Sequence, residues 1–365
     1  MSPNLSIGIL AHNEAGNIAG AISALFQQTL VRDPEIAGPR EIIVVANGCQ
    51  DGTARVAEEA LKELGGPLSA AGLTWRVVNV QEAGKSNAWN VFVHELSANS
   101  AQYLFLMDAD ISFLGGGTLE AMLLALQGSP KAWVVVDEPV KSIAFKAKKS
   151  FFDRLSLRVS QRSGTDELGI CGQLYGARAT ALRWITMPVG LPVEDGFLRA
   201  MVLTEGFSRP DEVHAHLVKA DGAAHVYEPY GTVPSLIAHE KRLVIGTTIN
   251  YYIYEWLRER RCSCPEESGM LIRRMNKESP MWLHEVLRQA WARRRWWLLP
   301  RGFVFRRFHA IAKGPLRRAL ARLPVVLVAF AADAVICLQA NLALRRGVGI
   351  GYWREAAERT DRHAD

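Results

Sequence analysis

Along the first 140 residues, short apolar runs alternate with longer segments whose apolar positions recur every three to four residues. "LSIGILA" (5–11) leads into "NEAGNIAGAISALFQQ", where Ile18, Ile22, Leu25 and Phe26 fall on one helical face. "EIIVVAN" (41–47) leads into "TARVAEEALKEL", and "WRVVNV" (75–80) into "KSNAWNVFVHEL". "QYLFLMDAD", the helical "LEAMLLALQ" and "AWVVVDE" (132–138) follow. Strand alternating with helix predicts an α/β fold on a mostly parallel sheet, with ligands bound beyond the carboxyl ends of its strands. The loops at those ends read "AHNEAGN", "ANGCQDGT", "QEAGKSN" and "DADIS". All are polar and together they would converge on one site.

The run "YLFLMDADI" (103–111) ends on Asp108 and Asp110. If the strand runs through both, their side chains share one face and repel each other. A divalent cation between them, completed by a polyphosphate, removes that repulsion. The alternative is that Asp108 only caps the segment that follows.

Composition narrows the class. In 365 residues, 49% are hydrophobic, which supports a large core without disulfides. The five cysteines (Cys49, Cys171, Cys262, Cys264, Cys337) are scattered, which predicts a reducing compartment rather than a disulfide framework. "MSPNLSIGIL" carries no basic region of the kind that opens a signal peptide. The net charge of +6 is uneven, since Arg288 to Arg322 contains no acidic residue and interleaves arginine with Trp, Phe and Leu. That mixture fits a membrane interface or nucleic acid. The next stretch, "LPVVLVAFAADAVICLQANLAL" (Leu323–Leu344), decides for the membrane and against nucleic acid. Its 22 residues are just long enough to cross a bilayer, although Asp333, Gln339 and Asn341 would be costly in lipid. The expectation is attachment to the cytoplasmic face of the cell membrane, by a single span or by a segment lying along it.

"AHNE", "NGCQDGT", "GKSNAWN", "MDAD", "GQLYGAR" and "VEDGF" occur in the order and at about the spacing of the family 2 glycosyltransferases. The resemblance covers roughly residues 5 to 245 and implies the nucleotide-sugar transferase (GT-A) fold. It places Asn13, Glu14 and Asn47 at the nucleotide base, with Ala46 and Asn47 where the family usually has two aspartates. It sets Lys85 near the base or diphosphate, Asp108 on ribose or metal, and Asp110 on a metal, Mg²⁺ or Mn²⁺. Asp51 and Gly52 are expected to form a helix cap and turn. Gly172 and Gln173 would line the acceptor side. Asp195 would be the general base that deprotonates the acceptor hydroxyl in one inverting displacement, with Glu194 as its partner.

A processive member would carry Q-x-x-R-W on a helix beside the acceptor channel. Here the matching "HEKRL" keeps Arg242, which the resemblance sets on the diphosphate, puts His239 in place of Gln on the acceptor side, and has Leu243 in place of Trp. Transfer of one sugar is therefore expected, from a UDP-linked donor to a membrane lipid or lipid-linked saccharide. Alternatives are a processive polysaccharide synthase, a nucleotidyltransferase, and a non-catalytic membrane adaptor. "AHNEAGN" has no basic residue for a triphosphate, and a binding module has no need of a base. His214 and His216 alternate as on a strand and could chelate zinc, although a single histidine as third ligand of the Asp108–Asp110 metal is favoured. The expected organisation is a catalytic domain over 1–245 (donor half about 1–140, acceptor half about 141–245). A helical membrane-associating region over 246–365 follows.

Overall fold

A computed structural model describes residues 4–351 except 34, 37, 151–152, 155–156, 158–167, 231, 301, 306–307 and 309–315. Basic and aromatic positions of the Arg288–Arg322 stretch that fall on these numbers lie outside the described residues. The alternating pattern folds as expected. Strands β1 (Leu5–Ala11), β2 (Arg40–Asn47), β3 (Leu73–Val80) and β4 (Tyr103–Asp108) alternate with helices α1 (Ile18–Phe26), α2 (Thr53–Gly65) and α3 (Lys85–Val91). Then come β5 (Ser112–Phe113), α4 (Thr118–Gly128), β6 (Val134–Lys141), β7 (Leu174–Arg178) and α5 (Ala179–Trp184). Helix α6 (Glu194–Leu203) and β8 (Leu217–Tyr227) complete the sheet region.

The eight strands form one sheet in the order β3-β2-β1-β4-β7-β6-β8-β5. Strands β3, β2, β1 and β4 are parallel neighbours, whereas β7 runs antiparallel to both β4 and β6. The strand direction therefore reverses at the β4–β7 edge. The amide of Asp108 donates to Gln173 O at 2.9 Å, which carries that pairing just past the strand ends.

Period-two alternation assigns the two faces. Ile7, Ile9, Ile42 and Val44 pack with Ile18, Ile22 and Leu25 on one side. Ile43, Val45, Leu104 and Leu106 pack with Trp89, Phe92 and Phe197 on the other. Burial on both faces is why these strands read as nearly continuous apolar runs. Strand β4 ends at Asp108, and Asp110 lies exposed in the turn beyond it. The shared-face expectation for the two aspartates is corrected here: the second is presented by a turn.

The second face is covered by described helices that follow β8. Helix α7 (Val233–Arg260) opens with a capping box in which Thr232 and Ser235 bond reciprocally. It is followed by α8 (Pro265–Glu278), α9 (Trp282–Arg294) and α10 (Leu316–Arg345). The boundary expected near 245 falls inside α7, whose Ile245, Ile249 and Ile253 share one apolar cluster with Phe197 and Leu198 of α6. No helix among the described residues is long and apolar enough to cross a membrane. Asp333 and Asn341 on α10 are both 2% exposed. Asn341 accepts from Leu298 N at 2.8 Å and donates to Trp296 O at 2.9 Å.

Gly269 on α8 sits against the α5 backbone so closely that a Cβ would fall 1.7 Å from Trp184 O. Gly269→Ala must push the two helices apart and is expected to cost about 1–3 kcal/mol. An unchanged midpoint in urea unfolding would contradict this docking of the carboxyl-terminal helices.

Candidate active site

The β4–β7 reversal gathers several ionisable side chains around one ammonium. Lys85 opens α3 directly after Gly84, whose φ of 145° lies in a region that favours glycine. Its Nζ lies 2.7 and 2.9 Å from the two oxygens of Asp108, which ends β4. It also lies 3.0 Å from Glu194 Oε1, at the start of α6, and donates to Gly172 O at 3.0 Å. A Cβ on Gly172 would come within 2.9 Å of Glu194 Oε1, so a side chain there would displace the Glu194 carboxylate. The side chains of Lys85, Asp108 and Glu194 are 17%, 21% and 14% exposed.

Burial alone would depress the Lys85 pKa, but Asp108 and Glu194 outweigh it and hold it well above the ordinary lysine value. For Asp108 the balance runs the other way. Burial, helped by Asp110 and Glu194, raises it to about 6 despite the Lys85 ammonium. Asp195, next to Glu194 in the first turn of α6, is held instead by the amides of Gly196 (2.7 Å) and Gly172. Burial and then Glu194 raise its pKa, which makes its carboxylate a stronger base. Behind the cluster, Trp89 Nε1 donates to Tyr175 Oη at 2.5 Å, and burial lifts the Tyr175 phenol. Asp108, Lys85, Gly172, Glu194 and Asp195, expected from separate motifs, thus meet in one place.

The donor-side loops interlock. Asn13, at φ 56°, accepts from Gln50 N at 2.8 Å, and Glu14 N donates to Thr53 Oγ1 at 2.8 Å. Asp51 accepts from Thr53 N at 3.0 Å and Ala15 N at 3.1 Å, which fixes the turn ahead of α2, whose N-cap is Gly52. Burial raises the Glu14 carboxyl, with Asp110 and Asp51 adding repulsion. Asn47 is 2% exposed, and its amide donates to Gly84 O at 2.7 Å. One of the two Asn47 amide hydrogens is taken by Gly84 O, so the backbone orients this side chain. Its Oδ1 is buried with no hydrogen-bond partner.

That distribution bears on a metal. Asp108 faces Lys85, while Asp110 is exposed and adds to the repulsion felt by both Asp108 and Glu14. A cation at Asp110 would relieve this excess of negative charge. Among the described residues no three His, Cys, Asp or Glu side chains are arranged to hold a metal ion. The expected third histidine ligand is therefore corrected. Two carboxylates sharing a cation with substrate phosphates suit Mg²⁺ or Mn²⁺, which commonly keep substrate oxygens and water in their shell.

The histidine pair differs from expectation as well. His214 and His216 occupy a 3-10 turn before β8, not a strand face. His216 stacks on Trp133 with ring centroids 3.8 Å apart and meets Glu205 at 3.1 Å, so packing has taken it. His239 and Arg242 lie on the amino-terminal turns of α7, where His239 packs against Tyr230 at 4.4 Å. Burial and then Arg242 lower the His239 pKa.

One pair was missed from the sequence. His225 of β8 and Asp137 of β6 have fully buried side chains and meet at 2.8 Å through Nδ1. The other ring nitrogen faces Gln173 Oε1 at 3.4 Å, and the Cys171 thiol lies 3.6 Å from the same oxygen. Acceptors on both sides of the ring favour imidazolium. Burial would lower the His225 pKa, but the Asp137 and Cys171 hydrogen bonds raise it to about 9. The only signal was an acidic residue closing an apolar strand in "VVVDE" and a histidine within a strand in "AAHVY".

For a raised histidine the stabilisation is complete below the unfolded pKa and disappears as pH climbs through the folded one. Unfolding free energy is expected to fall between about pH 6.5 and about 9, by on the order of 3 kcal/mol. His225→Gln should flatten that slope. Equal slopes in the two proteins, read from urea midpoints against pH, would contradict a buried imidazolium.

Comparison with known proteins follows the same lines. The Glycosyl transferase family 2 model matches residues 6–182. Mannosyltransferase PcManGT from Pyrobaculum calidifontis, solved with GDP-Man and Mn²⁺, is 17% identical with a TM-score of 0.50. That alignment covers 94% of this chain and 87% of that one. S. aureus TarS 1–349 is 15% identical with a TM-score of 0.43, covering 94% and 92%. Glucosyl-3-phosphoglycerate synthase from Mycobacterium tuberculosis, solved with Mn²⁺ and UDP-glucose, is 16% identical with a TM-score of 0.44, covering 68% and 79%. No curated protein matches the sequence. At these identities the structural likeness speaks to the fold alone. The family match spans the segments that present Lys85, Asp108 and Gly172, so residues 6–182 carry a region similar to the family 2 glycosyltransferases and the chain is a glycosyltransferase.

Proposed function

We propose that the protein is an inverting, metal-dependent transferase that moves one sugar from a nucleoside diphosphate donor, a UDP-sugar, to a membrane lipid or lipid-linked saccharide. The observation that carries this reading is the division of labour around Lys85. The ammonium engages Asp108 and Glu194, while Asp195 is held by backbone amides. Asp195 is then the carboxylate free to take a proton. As the acceptor hydroxyl attacks the anomeric carbon, that proton passes to Asp195 and the bond to the diphosphate breaks on the opposite side. One displacement inverts the anomeric centre.

The remaining residues bind and orient. Asn13 and Glu14 shape the base loop, and Asn47 Oδ1 accepts from an N–H on the edge of the base, as uracil offers. Lys85 supplies a fixed positive charge beside the diphosphate. Asp110 and Asp108 would hold Mg²⁺ or Mn²⁺, which when bound neutralises the departing nucleoside diphosphate. Gly172, Gln173 and His239 form the acceptor side, and Arg242 contacts the diphosphate. The donor half over about 1–140 and the acceptor half over about 141–245 meet at Lys85. A processive synthase is less favoured because Leu243 stands where the expected motif has Trp.

Asp195→Asn is expected to lower transfer by about 10²- to 10⁴-fold, the usual worth of a general base, with donor affinity within a few fold of wild type. Loss of donor binding in calorimetry would remove Asp195 from that role. Undiminished turnover would point to another base.

A further inference from the structure

Helix α10 has two unlike faces. Ile336, Cys337, Ala340, Ala343 and Leu344 are buried in the large apolar cluster that includes α7. On the outside, Leu327 is 51% exposed, Val335 56%, Leu338 52% and Leu342 40%. Spacings of eight, three and four residues put these on one stripe along the helix. Aromatic rings extend it at both ends. Phe305, 52% exposed, stacks on Phe330 of α10 at 5.6 Å. Trp296, 69% exposed, is tied to α10 through its carbonyl and Asn341.

Basic side chains border this stripe. Arg295, Arg345 and Arg346 are exposed, Arg345 lies over the Trp291 ring at 4.3 Å, and Arg293 pairs with Glu259 at 3.2 Å. From Arg288 to Arg354 the only acidic residue is Asp333, and it is buried.

We propose that this outer face of α10, with Trp296 and Phe305, docks in the plane of a bilayer surface bearing anionic headgroups. Three observations select that occupant. The face is a single helix ridge flanked by rings, a shape that settles among lipid chains and headgroups. The exposed arginines complement anionic lipid, whereas a second copy meeting the same face would set like charges together. Asp333 and Asn341 are turned into the protein, so the helix offers lipid one side only and lies along the surface.

The geometry also connects the membrane to the chemistry. The chain leaves α10 and returns to the segment that precedes Glu194 and Asp195, where Gly351 N donates to Gly190 O at 2.9 Å. A docked α10 holds the acceptor side beside the same leaflet. This clause rests on the lipid-acceptor reading; the docking itself does not require it.

The test is flotation of the full chain with phosphatidylcholine vesicles, with and without phosphatidylglycerol, compared with Val335→Asp/Leu338→Asp and Arg345→Glu/Arg346→Glu. Both positions of each pair are exposed, so the variants should fold, and nucleotide-sugar binding by calorimetry checks that they do. The wild type should float with the anionic vesicles and be released by salt. Val335→Asp/Leu338→Asp should lose at least about tenfold in partitioning, and removal of arginines roughly fivefold per residue at low salt. A wild type that stays with neither vesicle overturns the proposal. So does a protein that resists alkaline carbonate extraction, which would mean a crossing segment. If the apolar variant instead converts a dimer to a monomer in light scattering without affecting flotation, the face is a copy-to-copy contact and the proposal falls. Loss of flotation with donor binding intact supports docking, while loss of donor binding in an otherwise folded wild type would fault the catalytic reading alone.

Discussion

One ammonium group organises this molecule. Lys85 is almost enclosed, and an enclosed charge is tolerable only if opposite charge and hydrogen bonds surround it. Asp108 and Glu194 supply the charge and Gly172 O the additional bond. These groups come from a helix start, a strand end, a loop and a second helix start, so each element must be in place before the lysine is satisfied. Breaking such a pair by removing one partner typically costs about 3–5 kcal/mol, enough to matter against the stability of a whole domain. The same contacts determine which carboxylates remain for other work. Asp110 faces solvent, and Asp195 keeps a raised basicity in the first turn of α6.

The fold makes that meeting possible by setting an antiparallel strand beside the parallel ones. Four parallel strands deliver their loops to a single edge, as a doubly wound sheet does. Antiparallel β7 then runs back beside β4, which brings the 170–173 segment to the tip where Asp108 emerges. Below the reversal, the His225–Asp137 pair and the Cys171 thiol surround the Gln173 side chain. The carboxyl-terminal helices bury the sheet's second face, and their outer surface is the basic and aromatic one.

Much of the parallel half was legible because its strands and helices carry strong period-two and period-3.6 signals. Strand β1 spans the predicted Leu5–Ala11. What could not be read was pairing between distant residues. Nothing local in "GKSN" says that its lysine meets two carboxylates far along the chain, and Asn47 gives no sign that its amide is used by Gly84 O. The apparent strand alternation of His214 and His216 failed because Trp133 and Glu205 captured His216, a tertiary choice that overrides the local pattern. Strand β4 stopping at Asp108 moved Asp110 into a turn, since a second unpaired carboxylate would otherwise sit within the sheet. Residues 323–344 have the length of a membrane span, but no helix among the described residues is apolar enough to cross one, and one face of α10 is buried.

The most direct measurement is calorimetric titration of UDP-, GDP- and CMP-sugars into the full-length protein, with Mg²⁺ or Mn²⁺ and then with chelator. The account predicts that one donor, a UDP-sugar, binds with the cation and loses affinity in chelator, with Asp110→Ala behaving as wild type does in chelator. Equal binding with and without cation, or no binding of any donor to folded protein, would contradict the claim that Asp108 and Asp110 face a metal-bound diphosphate.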